Sequence, residues 1–207
     1  MRIQTLLKGA VLCLVLVAAG IFAIVQPLAR PIASQPPHVD PERLAAHTRH
    51  LSVDLFPRSF DQRQQLDLVA DYIAATLRES GANVSTQEVL VEGEKYRNVV
   101  ARFGPETGPL LVIGAHYDSH GDETASEVTP QSHTPGADDN ASGIAGLLEL
   151  ARLLAGNPPT RPIELVAYTL EEPPHFRTRH MGSAWHAHAL RTEKREVELM
   201  ISLEMIG

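Results

Sequence analysis

Apolar residues at Leu66, Val69, Ile73 and Leu77 form one stripe of a helix, and Gly81 beyond them is a natural stop. Ser59 with Gln62 three residues later resembles a capping box that would open this helix. Asn83–Val91 and Tyr96–Phe103 read as strands joined by the turn-like Glu92-Gly93-Glu94-Lys95. Leu110–Ile113 is a short uninterrupted apolar run, as expected of a central strand. Ile144, Leu147, Leu148, Ala151 and Leu154 mark an amphipathic helix that Gly156 and Pro158 end. Ile163–Leu170 is the next strand, Met181–Leu190 a helix and Val197–Met205 a last strand. This alternation predicts an α/β fold, a three-layer sandwich with a mixed, largely parallel central sheet.

The N-terminus has a different pattern. Arg2 and Lys8 precede the uncharged, mostly apolar run Gly9–Val25, whose length is at the lower limit of the roughly 17–25 residues that span a bilayer. Basic residues ahead of the run predict a cytoplasmic N-terminus with the rest exported. Val17-Ala18-Ala19 is the best small-residue cleavage site, and it cuts inside the run. Residues 1–26 are thus expected to be an uncleaved signal anchor, with a cleaved signal peptide or a buried helix as alternatives. The body would be membrane-anchored through residues 9–25 or, if cleaved, secreted or periplasmic. Residues 27–50, with Pro31, Pro36 and Pro37, read as a linker, leaving 51–207 as the folded portion.

Composition narrows the chemistry. The formal net charge is −7 and Lys and Arg are not clustered, which argues against a nucleic-acid partner. The single cysteine, Cys13, lies in the apolar run, so the body has neither a disulfide nor a thiolate metal site. Any metal must be held by His, Asp and Glu, a donor set that suits zinc, manganese or cobalt.

The candidate groups lie where predicted strands stop or helices start, the positions that form the crevice of an open α/β sheet. His116 follows a buried strand with Asp118 two residues on, where a carboxylate can hold the second N–H of a ligating imidazole. Asp138-Asp139-Asn140 precedes a helix; one of the three could serve as its cap, and a carboxylate there could bridge two cations. Glu171-Glu172 follows a strand, and Pro173-Pro174 turns the chain away so that both can face one site. One can then bind metal while the other takes a proton from water. Glu204, an acid inside an apolar strand, is costly unless paired or bound to metal. The remaining histidines, among them His120, His133, His175, His180, His186 and His188, read as surface or loop groups.

The segments Gly-Ala-His116-Tyr-Asp118-Ser, Gly-Ala-Asp138-Asp139-Asn-Ala-Ser-Gly, Glu171-Glu172 and Met181-Gly182-Ser183 resemble metallopeptidase family twenty-eight, over roughly Leu51 to Gly207. These are co-catalytic zinc aminopeptidases and glutamate carboxypeptidase relatives. The resemblance implies an exported zinc exopeptidase, foremost an aminopeptidase, acting on peptides or amino-acid conjugates with two zinc ions in the complete domain. It assigns His116 and Asp138 to one zinc, Asp138 and Glu172 to the second, and Glu171 as general base. Asp118 would orient His116, and a non-proline cis peptide would follow the bridging aspartate, at Asp138–Asp139. Two departures are visible. Glu204 stands where the family usually has Asp, and is taken as a variant ligand. A further histidine, from a later loop in the family, does not follow Glu204, so the C-terminal portion is expected to be missing and this chain weakly active or inactive. The alternatives are a glutaminyl-cyclase-like acyltransferase using a single zinc, or a noncatalytic membrane-tethered domain.

Overall fold

A computed structural model describes residues 2–25, 38–120 and 134–207. The expected tether around Pro31, Pro36 and Pro37, and the surface reading of His133, lie outside the described residues. The chain divides into two compact units at residues 36 and 37. The first holds helix α1, Arg2–Val25. Its segment Lys8–Val25 has a mean hydropathy of 2.5, so it is long and apolar enough to cross a membrane.

The second unit opens with α2, Pro41–Arg49. Asp40 caps it through Oδ1, which accepts from the backbone N–H of Glu42 (3.0 Å) and Arg43 (3.4 Å), while Pro41 supplies a first-turn residue with no N–H to satisfy. The buried Glu149 also takes the Asp40 N–H at 3.0 Å. Residues 41–49 are therefore helix rather than the linker expected as far as residue 50. The cap and the long-range hydrogen bond explain why this Pro-containing stretch is ordered.

α3, Arg63–Glu79, buries Leu66, Val69, Ile73 and Leu77 as its period predicts. The capping box does not form. Gln62 holds the cap position with no side-chain bond to the helix, and Ser59 Oγ instead donates to Asp61 Oδ1 at 2.6 Å. β1 (Asn83–Val91) and β2 (Glu94–Phe103) make a hairpin whose two turn residues, Glu92 and Gly93, both have positive φ (52° and 90°). β3 (Leu110–His116), α4 (Gly143–Gly156), β4 (Ile163–Tyr168), α5 (Gly182–Thr192) and β5 (Val197–Ser202) complete the unit.

The strand order is β1-β2-β4-β3-β5. β3 runs parallel to β4 and β5, while β2 runs antiparallel to β1 and β4, so the sheet is mixed and largely parallel, as expected, with β2 alone running against the other four. Both orientations follow from the connections. The helical crossover through α4 returns β4 parallel to β3, whereas the two-residue turn forces β1 and β2 antiparallel.

One face of the sheet packs Val99, Ile113 and Leu165 against α3 and the Ile144-Leu147-Leu148 face of α4. The other packs Val100, Val112, Val166 and Tyr168 against Leu190 of α5. β5 is exposed along its length and ends at Ser202, three residues before the expected limit. The carboxyl ends of β3, β4 and β5 thus share one rim, and the acidic groups follow directly from it.

Candidate metal centre

β3 ends on His116, whose imidazole is almost fully buried. Its Nδ1 lies 3.1 Å from the carbonyl oxygen of Asp118 and 3.4 Å from Asp118 Oδ1. With both acceptors on that side, Nδ1 keeps its proton when the imidazole is neutral, so Nε2, facing the rim, is the nitrogen that would give its lone pair to a metal. Asp118 is itself fully buried, and its Oδ2 accepts the backbone N–H of Glu172 at 3.0 Å. One carboxylate therefore joins the end of β3 to the loop after β4.

Nε2 of His116 faces three carboxylates: Asp139 Oδ1 at 3.1 Å, Glu204 Oε1 at 3.1 Å and Glu171 Oε2 at 3.7 Å. Among the described residues, His116, Asp139 and Glu204 form a group whose ligand atoms all lie within 4.8 Å of one another. The aspartate at this point is Asp139, which corrects the expectation for Asp138. Asp138 is exposed, and its Oδ1 instead accepts from Ser142 Oγ (3.4 Å) and the Gly207 N–H (3.1 Å). The backbone makes the choice. Gly136 has φ +62°, and Asp139 leaves the helical region with φ −105° and ψ 93°, which turns its side chain toward His116. The non-proline cis peptide is likewise displaced by one residue, to Asp139–Asn140.

Glu204 reaches the site by a different route from the one its sequence context suggests. It lies beyond β5, and its side chain is 43% exposed, so it is not an acid trapped inside a strand. Asn140 places it. This fully buried amide donates from Nδ2 to the Leu203 carbonyl (2.9 Å) and accepts the Met205 N–H on Oδ1 (3.3 Å), gripping the chain on both sides of Glu204. Oδ1 also takes the Gly143 N–H at 3.1 Å. A Cβ at Gly143 would overlap Asn140 Oδ1 and the Leu203 carbonyl oxygen, so only glycine allows this approach.

The chain turns the two glutamates toward the rim at Leu170, three residues before Pro173, through a left-handed φ of 58°. Buried Asn98 supports the bend by accepting the Thr169 N–H (3.1 Å) and donating to the Gly182 carbonyl (2.7 Å). Sequence reasoning overlooked Asn98 and the fully buried Arg58, and gave Asn140 only as a possible helix cap. An isolated polar residue inside an apolar run was the available signal for Asn98. Two histidines read as surface groups are buried. His175 packs edge-on to Phe60 with centroids 5.4 Å apart, and His186 lies between Tyr168 Oη (3.0 Å) and Glu164 Oε2 (3.1 Å) on the opposite side of the sheet.

Crowding of negative charge dominates the electrostatics. Burial opposes a charged His116, but Asp118, Asp139 and Glu204 override it and push the imidazole up to about 12. Asp139 is held below its usual range, chiefly by His116. Burial raises Glu171 against the pull of His116, helped by the charges of Asp118, Glu204 and Asp139. Burial together with Asp139 and Asp118 pushes Glu172 up to about 7. A cation at this point would relieve all four.

The donors fit zinc. With bonds of roughly 2.0–2.2 Å, two ligand atoms on a tetrahedral zinc lie about 3.4 Å apart, close to the 3.1 Å separations around His116 Nε2. Asp139 Oδ1 is buried without a hydrogen-bond partner, the condition of a carboxylate oxygen shaped for an ion.

A family model described as Peptidase family M28 matches residues 98–207, which include every one of these groups. The chain belongs to peptidase family M28. It is 50% identical over 182 residues to the Escherichia coli (strain K12) uncharacterized protein YfbL, covering 88% of this chain and 54% of that protein. Its fold matches a Zn-dependent exopeptidase from Parabacteroides distasonis with a TM-score of 0.68 and 27% identity, over 83% of this chain and 63% of that one. It also matches a glutaminyl cyclase from Tannerella forsythia with a TM-score of 0.67 and 28% identity, over the same shares of the two chains. The chain thus spans about half the length of the curated relative it matches. This M28 chain is a metallopeptidase by family and has the zinc-exopeptidase fold.

A pH dependence follows for the metal-free chain. Between pH 4.5 and about 7 folded Glu172 keeps a proton that the unfolded chain has released, so stability falls as pH rises through that window. The protonated His116 contributes stability that is complete below 6.5 and is lost as pH climbs toward about 12. Above pH 4.5 both slopes have the same sign. The melting temperature should therefore decline from about pH 5 to about pH 8 without metal, and zinc should reverse the trend because its ligands bind deprotonated. Thermal melts with and without zinc check this; a metal-free melting temperature that climbs over the same range contradicts it.

Proposed function

We propose that this protein is an exported, zinc-dependent aminopeptidase that removes N-terminal residues from peptides. The observation that carries the reading is the convergence of His116 Nε2, Asp139 Oδ1 and Glu204 Oε1, with Glu171 Oε2 3.7 Å from the same imidazole nitrogen. His116, Asp139 and Glu204 hold one zinc. Asp139 and Glu172, which Asp139 raises through its charge, would hold the second ion of the complete domain. The helix α1 supports anchoring in a membrane with the remainder exported.

Bound zinc supplies Lewis acidity, polarising the scissile carbonyl and making water a stronger acid. Asp118 keeps the Nδ1 proton of His116 in place, so Nε2 remains a ligand throughout. Glu171 takes the proton of the attacking water as the new C–O bond forms. It then returns that proton to the amine nitrogen as the C–N bond breaks. Burial, which raises its affinity for protons, favours both halves of the exchange. Unsatisfied carboxylate charge at the rim attracts a substrate's free α-ammonium group, which favours exopeptidase over internal cleavage.

The likeness to a glutaminyl cyclase gives a second reading, a single-zinc acyl transfer that closes an N-terminal glutamine and releases ammonia. One experiment separates the two. Peptides with N-terminal Leu or Gln are incubated with the zinc-loaded protein carrying the complete peptidase domain, and products are read by mass spectrometry. Free amino acid is expected, abolished by a chelator and restored by zinc. Pyroglutamyl peptide with ammonia would replace the aminopeptidase reading, and turnover that survives chelation would remove the metal from it.

A further inference from the structure

Arg58 is fully buried, yet it lies in a loop rather than in the packed apolar core. Its guanidinium is spent on backbone. Nε donates to the Tyr117 carbonyl at 2.8 Å, Nη1 to the carbonyls of Leu51 (2.6 Å) and Pro135 (3.0 Å), and Nη2 to that of Gly136 (2.8 Å). Its own carbonyl accepts the Ser119 N–H at 3.1 Å. The contacts divide into two sets. Tyr117 and Ser119 flank Asp118 and follow His116 directly, while Pro135 and Gly136 open the turn that carries Asp139. The Gly136 oxygen also takes the Ala141 N–H at 3.0 Å, closing that turn on the far side of Asp139. A Cβ at Gly136 would overlap the Asp139 carbonyl and lie 2.8 Å from Nη2, so the turn is built around this contact.

A buried cation with neutral partners is expensive, and a planar fork of five donors is the one side chain that can satisfy four separated carbonyls together. We propose that Arg58 is the positioning residue of the metal centre: by tying the segment after β3 to the Gly136 turn, it sets the distance between His116 and Asp139, and zinc affinity depends on that distance. This inference rests on the zinc reading above and deepens it. Arg58 touches neither metal nor substrate; it acts through Asp139 and His116.

The test compares Arg58→Lys and Arg58→Gln with the wild-type full chain in mild detergent. Lys keeps the charge but presents its donors from one nitrogen. Gln keeps a donor without burying an unpaired charge, so it remains informative if the Lys variant does not fold. Zinc affinity is measured by chelator competition and ligand geometry by the visible spectrum of the cobalt-substituted protein, with melting temperature recorded alongside. Each folded variant should bind zinc about 10–100-fold more weakly, as displaced outer partners of a metal site generally do. Its cobalt bands should shift, which a purely structural role would not cause. Wild-type affinity and an unchanged cobalt spectrum in a folded variant would overturn this inference alone. Failure of the wild type itself to bind zinc would overturn the metal reading, and this inference with it.

Discussion

Replacing Glu171 with Gln should leave zinc in place and slow hydrolysis about 10²–10⁴-fold, the range over which a lost general base is felt. The amide matches the carboxylate in size and hydrogen-bonding reach but cannot accept a proton at neutral pH. Glu171 lies 3.7 Å from His116 Nε2, farther than the 3.1 Å of Asp139 and Glu204, and it is outside the group whose atoms converge within 4.8 Å. Its place outside that converging group is what marks it as a proton acceptor rather than a ligand. Metal content by elemental analysis, measured with turnover of an aminoacyl-nitroanilide, decides the point. Zinc lost along with activity would make Glu171 a ligand, and unchanged turnover would remove it from the mechanism.

The second large effect separates two adjacent aspartates. Asp139→Asn should abolish both tight zinc binding and turnover, because Asp139 Oδ1 is the buried oxygen that meets His116 Nε2. Asp138→Asn should keep both, since Asp138 is exposed and, among the described residues, accepts from Ser142 and Gly207. An amide oxygen can still accept those bonds. The contrast is to be read as zinc affinity and turnover of each variant against wild type. Equal losses at both positions, or loss at 138 alone, would refute the placement of the turn.

Much of the fold is legible in the chain. β1 matches its expected limits, the stripe from Leu66 to Leu77 is buried, and Gly81 stands beyond α3 with φ +74°. These are local features, in which period and backbone preference act within a few residues. The linker reading failed at residues 41–49 because the bond from Asp40 to Glu149 spans 109 positions, beyond any window of local pattern. The mixed, largely parallel sheet was legible, but strand count does not reveal that β2 lies between β1 and β4.

The sequence by itself determined the chemistry of the site: one imidazole and a set of carboxylates, spaced so that each follows a strand end or opens a helix. Those residue types exclude thiolate ligation and suit zinc whatever the rotamers. Only the tertiary structure decided which aspartate serves and how Glu204 arrives. Adjacent residues such as Asp138 and Asp139 differ by a backbone rotation, and that rotation is set by Gly136, held by Arg58 from 78 positions away. Glu204 is placed by Asn140 gripping the carbonyl before it and the N–H after it. Metal geometry is selective over tenths of an ångström, and contacts that distant in sequence leave no trace in local pattern.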